Sequence, residues 1–256
     1  MPLLECKDVC RYFGGLKAVN NFNLTLEHGE LVGLIGPNGA GKTTVFNVIT
    51  GIFPPTTGTV TFDGKNLAGL APYRVTQTGI ARTFQNIRLF KNMTALDNVM
   101  VTMHPRAGYG LPDALFRLPI FGRREADMTK KAEALLEWMG LLNRRNALAG
   151  SLPYGEQRRL EIARALAAGP KLLLLDEPAA GMNPSEVGNL VAMIKGIKQD
   201  FNLTVLLIEH QMGLVNNLCE RLVVLDFGET IATGTPGEIQ KNPRVLEAYL
   251  GKGVAV

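Results

Sequence analysis

The sequence has few of the residues that mark disulfide-stabilised or metal-clustered proteins. Its 256 residues include three cysteines, three histidines and one tryptophan. Cys6, Cys10 and Cys219 form no CxxC pair, so we expect reduced thiols that pack as small core side chains. A cysteine count this low and odd is typical of a cytosolic protein.

Long apolar runs are also missing. No hydrophobic stretch approaches the roughly 18 residues that a membrane-spanning helix needs. Residues 1–5 lack a basic region followed by an apolar one, so we expect no signal peptide. Any role at a membrane is therefore expected to depend on a partner protein. Internal repeats and sustained heptads are absent as well.

The charge balance is basic, with a net charge of +4 and an isoelectric point near 9.0. The bases do not form a patch with interleaved aromatic residues, so we do not expect nucleic-acid binding. They lie in helical stretches among acids, which favours solvated helix faces near a membrane or a partner. These bases are Arg123, Arg124, Lys130, Lys131, Arg144 and Arg145.

The order of apolar segments predicts an α/β fold in one large domain. Short strands are predicted at residues 3–9, 22–26, 31–35 and 59–62, and buried strands at 172–176 and 203–209. Helices alternate with the later strands, which indicates a parallel sheet. The middle, about 94–150, is predicted to be helical and inserted into that sheet. Its prolines and glycines make residues 105–122 an irregular insertion.

Two helix starts carry capping signals. Thr94 is followed three residues later by Asp97, and Asn183 is followed by Pro184 and Glu186. A side chain that accepts a hydrogen bond, followed by an acid three residues on, is typical of a helix N-terminus. We therefore predict helices beginning at these positions.

Residues 36–43 match the phosphate-loop pattern GxxxxGK[ST]. Glycines let backbone N–H groups wrap a phosphate, and the helix that follows adds its positive N-terminal dipole. Lys42 is predicted to reach the β- and γ-phosphates, and Thr43 to bind Mg²⁺. The dinucleotide pattern GxGxxG is not present. The predicted ATP contacts of this loop are Gly36, Pro37, Asn38, Gly39, Ala40, Gly41, Lys42, Thr43 and Thr44.

A second chemical signal lies at the end of the leucine run that begins at residue 172. Asp176 and Glu177 follow it, at the carboxyl end of a buried strand, where α/β sheets bind ligands. Asp176 is predicted to coordinate Mg²⁺, and Glu177 to act as a general base or to orient the attacking water. Lys42 and Glu177 are therefore candidate catalytic residues.

With these motifs in place, the chain resembles the ATP-binding subunits of ABC transporters over nearly its whole length. Residues 81–85 resemble the family's Q-loop, 152–157 its signature loop, 180–183 its D-loop and 208–210 its switch-histidine segment. The resemblance implies a mixed sheet core, an N-terminal antiparallel β part and an inserted helical subdomain. It implies a nucleotide-binding core at 1–85 and 156–256, and a helical subdomain at about 86–155.

The resemblance also implies roles for single residues. Gln85 corresponds to a contact with Mg²⁺ and water, and His210 to a catalytic contact with the γ-phosphate region. Phe13 matches the aromatic residue that stacks on adenine, with Tyr12 as the second choice. ATP and Mg²⁺ are the implied cofactors.

The signature loop departs from the family's usual Leu-Ser-Gly-Gly-Gln. Pro153 replaces the serine and has neither a hydroxyl nor an N–H, so the serine contact is lost at this position. Tyr154 replaces the first glycine, which leaves the Gly155 amide and the helix dipole as the expected ligand contacts. The Tyr-Gly signature, the insertion at 105–122 and the ending at 242–251 resemble the ATPases of high-affinity branched-chain amino acid importers.

This branch implies a motor for amino-acid uptake. Its expected partners are transmembrane permease subunits, a second ATPase subunit (non-identical or a second copy), and indirectly a substrate-binding protein. Its expected place is the cytoplasmic face of the inner membrane. Two alternatives remain open at this point: the motor of another ABC system such as lipopolysaccharide export, and a soluble ABC ATPase outside transport.

Overall fold

The computed structural model of the protein describes residues 1–250. These residues form two compact units. The first unit contains residues 1–82 and those from 171 onward, and the second contains residues 83–170. The boundaries predicted from the sequence at 85/86 and 155/156 remain predictions.

In the part of the chain that the structure describes, the first unit contains two β-sheets. One is antiparallel, with the order β2-β1-β4-β5, and the other has the order β10-β9-β3-β8-β7-β6. In the six-stranded sheet only the pairing of β10 with β9 is antiparallel; the other neighbours are parallel. The strands are β1 (Leu4–Phe13), β2 (Leu16–Leu26), β3 (Leu31–Ile35), β4 (Thr57–Phe62), β5 (Lys65–Asn66), β6 (Ile80–Arg82), β7 (Leu172–Asp176), β8 (Thr204–Ile208), β9 (Arg221–Asp226) and β10 (Glu229–Gly234).

The three central strands β3, β7 and β8 are buried at every residue. The sequences of β7 and β8 are mostly apolar because both faces of a parallel sheet are covered, as predicted for these two strands. Leu34, Leu174 and Leu206 share one hydrophobic cluster with Phe46 of the first helix. Each such buried side chain stabilises the fold by about 1.5–3 kcal/mol.

Six helices of the first unit lie within residues 1–250. The predicted start at Asn183 is confirmed: its side chain accepts from the Glu186 N–H, and the Glu186 carboxylate accepts from the Asn183 N–H. The helices are α1 (Lys42–Ile49), α2 (Pro72–Thr78), α7 (Pro184–Asp200), α8 (Met212–Leu218), α9 (Pro236–Gln240) and α10 (Pro243–Leu250). Gly251, the last residue of the predicted C-terminal resemblance, lies outside the described residues.

The second unit is helical, as predicted. Thr94 caps its first helix by accepting from the Asp97 N–H at 3.1 Å. Its α-helices are α3 (Ala95–Met100), α4 (Leu111–Leu115), α5 (Pro119–Trp138) and α6 (Tyr154–Ala167). Short 3-10 turns connect them at His104–Arg106, Leu142–Arg144 and Ala149–Ser151.

Two predictions about local structure are wrong in part. Residues 105–122 are not wholly irregular, because α4 and the start of α5 lie inside them. Pro112 and Pro119 stand in the first turns of these helices, where a missing N–H costs nothing. The strand predicted at 22–26 is the second half of β2, which begins at Leu16. No helix among residues 1–250 is long and apolar enough to cross a membrane.

Candidate functional site

Three adjacent parallel strands end at the same edge of the six-stranded sheet. The strands β3, β8 and β7 are neighbours, and the register pairs Leu34 with Ile208 and Ile208 with Asp176. The phosphate loop follows β3, Glu177 follows β7, and His210 follows β8. Three motifs that are far apart in the sequence are therefore brought to one edge, where open α/β sheets bind ligands.

The phosphate loop is held in shape by glycines whose Cβ positions are already occupied. Gly36 has a φ of 148°, and a Cβ there would lie 2.0 Å from the carbonyl oxygen of Leu225. Gly41 has a φ of 101°, and a Cβ there would lie 2.4 Å from the carbonyl oxygen of Ala18. These two positions require glycine, and Gly39 lies in open space between them with a φ of 83°.

The Lys42 ammonium lies within this loop. Its Nζ donates to the carbonyl oxygens of Gly36 at 2.7 Å and Pro37 at 2.8 Å. Lys42 is the first residue of α1, so its charge stands at the positive end of the helix. Desolvation lowers the pKa of Lys42, and the charges of Glu177 and Asp176 partly oppose that shift. The loop thus presents a cation and a helix N-terminus together, a combination suited to a phosphate chain.

Several other loop residues are accessible to solvent. Asn38, Gly39 and Thr43 are exposed, and Thr44 is half-buried. Ala40 is buried, and its carbonyl oxygen accepts from the Gly228 N–H at 2.9 Å, which fastens the loop to the β9–β10 turn. The predicted contacts of these loop residues with ATP remain predictions.

Asp176 is buried and paired with a cation. Its Oδ2 accepts from Nη2 of Arg82 at 2.7 Å, and both side chains are 6% exposed. The other arm of Arg82 donates to Oδ1 of Asn47 at 2.7 Å, and its guanidinium lies over the Phe46 ring. The sequence alone gives Arg82 no role beyond its place in the Q-loop segment 81–85, and Asn47 belongs to no recognised motif.

Glu177 and His210 lie near each other. Oε2 of Glu177 is 3.9 Å from Nδ1 of His210, and the two side chains are 17% and 52% exposed. Glu177 has a φ of 45°, a backbone strain that is typical of residues fixed by function. Its N–H donates to the carbonyl oxygen of Ile208 at 2.9 Å, which ties the end of β7 to the end of β8.

Glu209, directly before His210, is a fully buried carboxylate to which the sequence alone assigns no role. Its Oε1 accepts from the Ala179 N–H at 2.9 Å, and its Oε2 accepts from the His210 N–H at 3.1 Å. Buried carboxylates of this kind fix backbone geometry, because each lost contact would leave a polar group unsatisfied. Glu209 stands at the end of an apolar strand and directly before His210, and this position in the sequence could have indicated a buried carboxylate at the site.

The two candidate adenine contacts lie on β1. Phe13 is 38% exposed, meets Phe53 edge to face at 5.2 Å, and has the Arg11 guanidinium 4.5 Å from its ring centroid. The Tyr12 hydroxyl donates to Oδ1 of Asn20 at 2.9 Å. The Phe13 ring is therefore braced by Phe53 and Arg11 and remains partly exposed, and stacking on adenine stays a prediction.

Gln85 and Gly155 belong to the second unit. Gln85 is exposed, and Gly155 is half-buried in the first turn of α6, directly after Tyr154. Pro153 is the N-cap residue of this helix, so the signature segment presents a helix N-terminus as expected. The predicted contacts of Gln85 with a metal and of Gly155 with a nucleotide remain predictions.

Arg158 joins the Gln85 segment to the signature segment within the second unit. Its guanidinium is 0% exposed and donates to the carbonyl oxygens of Phe84 at 2.7 Å and Gln85 at 2.8 Å. It also donates to the Tyr154 hydroxyl at 3.0 Å and to Glu161 at 2.9 Å. One buried cation therefore positions both segments.

Sequence reasoning missed this arrangement. Arg158 and Glu161 are three positions apart, on the face that α6 buries. Opposite charges at this spacing could have indicated a buried ion pair. Burial raises the pKa of Glu161, against the lowering effects of the Arg88 N–H and the Arg158 charge.

The residues present fit a magnesium ion that arrives with a nucleotide. Among residues 1–250 no group of three or more His, Cys, Asp and Glu side chains is placed to hold a metal ion. Mg²⁺ in nucleotide sites needs no such group, since one or two protein oxygens, water and phosphate oxygens complete its shell. The Thr43 hydroxyl and the Asp176 carboxylate are oxygen ligands of this kind.

Comparisons with known proteins place these features in a family. Residues 19–180 match the family model described as "ABC transporter", and residues 229–255 match the model described as "Branched-chain amino acid ATP-binding cassette transporter". The second match extends beyond the described residues.

Relatives of known name cover almost the whole chain. The high-affinity branched-chain amino acid transport ATP-binding protein BraF of Pseudomonas aeruginosa is 47% identical over 251 residues, which covers 98% of each chain. The corresponding protein LivG of Escherichia coli K12 is 46% identical with the same coverage. A crystal structure of the ADP conformation of an ATP-binding cassette of an ABC transporter matches with a TM-score of 0.85 and 32% identity, covering 98% of this chain and 100% of the other. The predicted fold is confirmed.

Proposed function

We propose that this chain, which belongs to the ABC transporter family of ATP-binding proteins, hydrolyses ATP to power the uptake of branched-chain amino acids through separate transmembrane subunits. The observation that carries the proposal is the meeting of the phosphate loop, Glu177 and His210 at the ends of three neighbouring strands. The substrate class follows from relatives that share 46–47% of this sequence over 98% of its length.

In this proposal the phosphate loop binds the β- and γ-phosphates of ATP. Lys42 exchanges its contacts with the carbonyl oxygens of Gly36 and Pro37 for contacts with phosphate oxygens, while the N–H groups at the start of α1 face the same oxygens. Phe13 stacks on the adenine ring. The positive charge of Lys42 then stabilises the negative charge that develops on the transferred phosphoryl group.

Glu177 orients and activates the attacking water. Its carboxylate is half-enclosed and stands 3.9 Å from the imidazole of His210, which we propose contacts the γ-phosphate region. Glu209 holds the backbone of His210 and so fixes the distance between the two. Phosphoryl transfer depends mostly on such positioning and on electrostatics.

When bound, Mg²⁺ would supply positive charge that offsets the negative charge of the phosphates during hydrolysis. Thr43 and Asp176 are the residues of the first unit that we propose hold this ion or its water molecules. The Arg82 contact fixes the orientation of the Asp176 carboxylate before the ion arrives.

The proposed assembly contains two ATPase subunits at the cytoplasmic face of the inner membrane. The signature segment at Gly155 of one subunit contacts the nucleotide bound to the phosphate loop of the other. The second subunit is either a non-identical ATPase or another copy of this chain. ATP binds the closed pair more tightly than the open pair, which is the differential affinity that any ligand-driven switch requires. A substrate-binding protein delivers the amino acid outside the membrane.

Uptake of labelled leucine tests this proposal in the source organism. The strains are the wild type, a deletion, and the deletion complemented with wild type, Lys42→Ala or Glu177→Gln. We expect the deletion to lose high-affinity uptake and only the wild-type copy to restore it. If both variants restore uptake fully, ATP hydrolysis by this chain does not drive it. If leucine, isoleucine and valine all enter the deletion strain at the wild-type rate, the substrate assignment is wrong.

A further inference from the structure

The turn between α4 and α5 presents large apolar side chains to solvent. Leu115 and Phe116 are each 72% exposed, Leu118 is 42% exposed and Ile120 is 43% exposed. Every residue from 115 to 120 is exposed, so the end of α4, the connection and the start of α5 all present side chains to solvent. We call residues 115–124 the apolar-basic turn.

The same segment carries a one-sided charge. Arg117, Arg123 and Arg124 lie within it, and it contains no acidic residue, so its net charge is +3. All three arginines are exposed, and among residues 1–250 none has a carboxylate within 4.0 Å. These charges are therefore available to a partner outside the unit.

The acidic residues on either side of the turn accept hydrogen bonds from residues 109 and 110, which fix the turn in place. The Asp113 carboxylate accepts from the Gly110 N–H at 2.7 Å, and the Glu125 carboxylate accepts from the Tyr109 hydroxyl at 2.6 Å. The Phe121 ring meets Tyr109 edge to face at 5.1 Å, which anchors the start of α5. The contacts of Asp113, Glu125 and Phe121 hold this segment in place. Leucine, phenylalanine and isoleucine are ordinarily buried, so a fixed segment that exposes all three calls for a binding role.

We propose that the apolar-basic turn binds an anionic phospholipid surface. Apolar side chains beside arginines, without acids, are the composition of segments that lie in a bilayer interface. The leucine and phenylalanine side chains enter the boundary between headgroups and acyl chains, and the arginines contact phosphate oxygens of the headgroups. A second copy of this chain is a poor occupant of the same surface, because two segments of charge +3 would face each other.

The surface goes beyond nucleotide chemistry and gives the subunit a direct contact with the bilayer. Neither the apolar side chains nor the arginines of the turn lie in the phosphate loop or in the Gln85 and signature segments. ATP hydrolysis by the isolated chain is therefore expected to be the same in variants of the turn and in the wild type. That measurement also shows that each variant is folded.

Flotation of the full-length chain with vesicles tests the proposal. The vesicles are pure phosphatidylcholine or contain phosphatidylglycerol, and each is used at low and high salt. We expect binding to the phosphatidylglycerol vesicles that weakens in high salt, because the contact between exposed charges is screened. Equal binding to both kinds of vesicle, or no binding, would overturn the proposal.

Variants of the turn then separate its two components. Leu115→Ser with Phe116→Ser removes apolar area, and Arg117→Gln with Arg123→Gln removes charge. Each pair is expected to lower partitioning on the order of tenfold. Phe227→Ser, at an exposed turn of the first unit, and Lys130→Gln, at an exposed position of α5, are the matched controls and should bind as the wild type does. Unchanged partitioning of both double variants contradicts the proposal, as does binding that requires the permease.

Discussion

Arg82 and Asp176 form a buried ion pair at the edge where the proposed magnesium site lies. Nη2 of Arg82 donates to Oδ2 of Asp176 at 2.7 Å, and each side chain is 6% exposed. Arg82 closes β6, the edge strand beside β7, so the pair joins neighbouring strands. A carboxylate buried this deeply needs a charged partner, and this arginine supplies it.

The pair predicts strong coupling in a double-mutant cycle. Arg82→Met leaves the Asp176 charge buried and unpaired, which is expected to lower the free energy of unfolding by about 3–5 kcal/mol. Arg82→Met combined with Asp176→Asn removes both charges and should cost clearly less than the sum of the two single changes. Urea unfolding measures each value. The exposed pair of Lys131 and Asp127 is the control, for which we expect no comparable coupling. Additive effects at Arg82 and Asp176 would show that the contact does not stabilise the fold.

The lowered pKa of Lys42 predicts a pH dependence of nucleotide binding. Desolvation lowers this pKa below 10.5, so the ammonium loses its proton at a lower pH than an exposed lysine does. ATP affinity should therefore fall as pH rises through that lowered pKa. In the same window the unfolded chain binds more protons than the folded one, so this lysine makes protein stability rise with pH.

Binding of a fluorescent ATP analogue across this pH range measures the effect. Lys42→Arg keeps its charge throughout and should flatten the curve, although its weaker fit to the loop lowers affinity at every pH. If the wild type and Lys42→Arg lose affinity in parallel, another group is responsible for the pH dependence.

Glu209 is predicted to matter for both stability and turnover. Glu209→Gln replaces one of the two acceptor oxygens with an amide NH2 group, so either the Ala179 N–H or the His210 N–H loses its acceptor, which should lower the free energy of unfolding by about 1–3 kcal/mol. Because the His210 backbone loses a fixed contact, ATP hydrolysis should fall more than ATP affinity. Glu247→Gln, at an exposed position of α10, is the control. Wild-type stability together with wild-type turnover would remove Glu209 from the account.

The hydrogen bonds of Arg158 predict that the Gln85 segment and the start of α6 are stabilised together. Arg158→Lys cannot keep the bonds to the carbonyl oxygens of Phe84 and Gln85 together with that to the Tyr154 hydroxyl. Amide hydrogen exchange should therefore become faster in residues 84–90 and at the start of α6, while β3 and β8 exchange as before. Lys130→Met serves as the control on an exposed helix face. Unchanged protection against hydrogen exchange in both segments would contradict the proposal that Arg158 holds them together.

Much of the fold and of the site was predictable from local patterns. The phosphate loop, Asp176 and Glu177 carry fixed spacings or follow continuous apolar runs, and the caps at Thr94 and Asn183 depend on neighbours three residues away. Each of these features depends on residues within a few positions of one another, so it can be recognised from the sequence without knowledge of the tertiary structure.

The missed residues act through contacts between distant parts of the chain. Arg82 reaches a carboxylate 94 residues away, and Arg158 reaches carbonyl oxygens 73 and 74 residues away. A charged residue in a helix or at a strand end is ordinarily solvated, and only tertiary packing shows that these are buried. The helices within residues 105–122 were missed for another reason: prolines were read as helix breakers, although they start helices here.

Hydrolysis and retention of nucleotide by Glu177→Gln test the central claim most directly. The purified variant and the wild type are incubated with MgATP, and phosphate release and the nucleotide that stays bound are measured together. The glutamine cannot accept the proton of the attacking water, whereas the phosphate loop is unchanged. We therefore expect a loss of at least about 100-fold in hydrolysis, with ATP retained uncleaved. Lys42→Ala should instead bind little nucleotide. Hydrolysis by Glu177→Gln at the wild-type rate would contradict the account of this site.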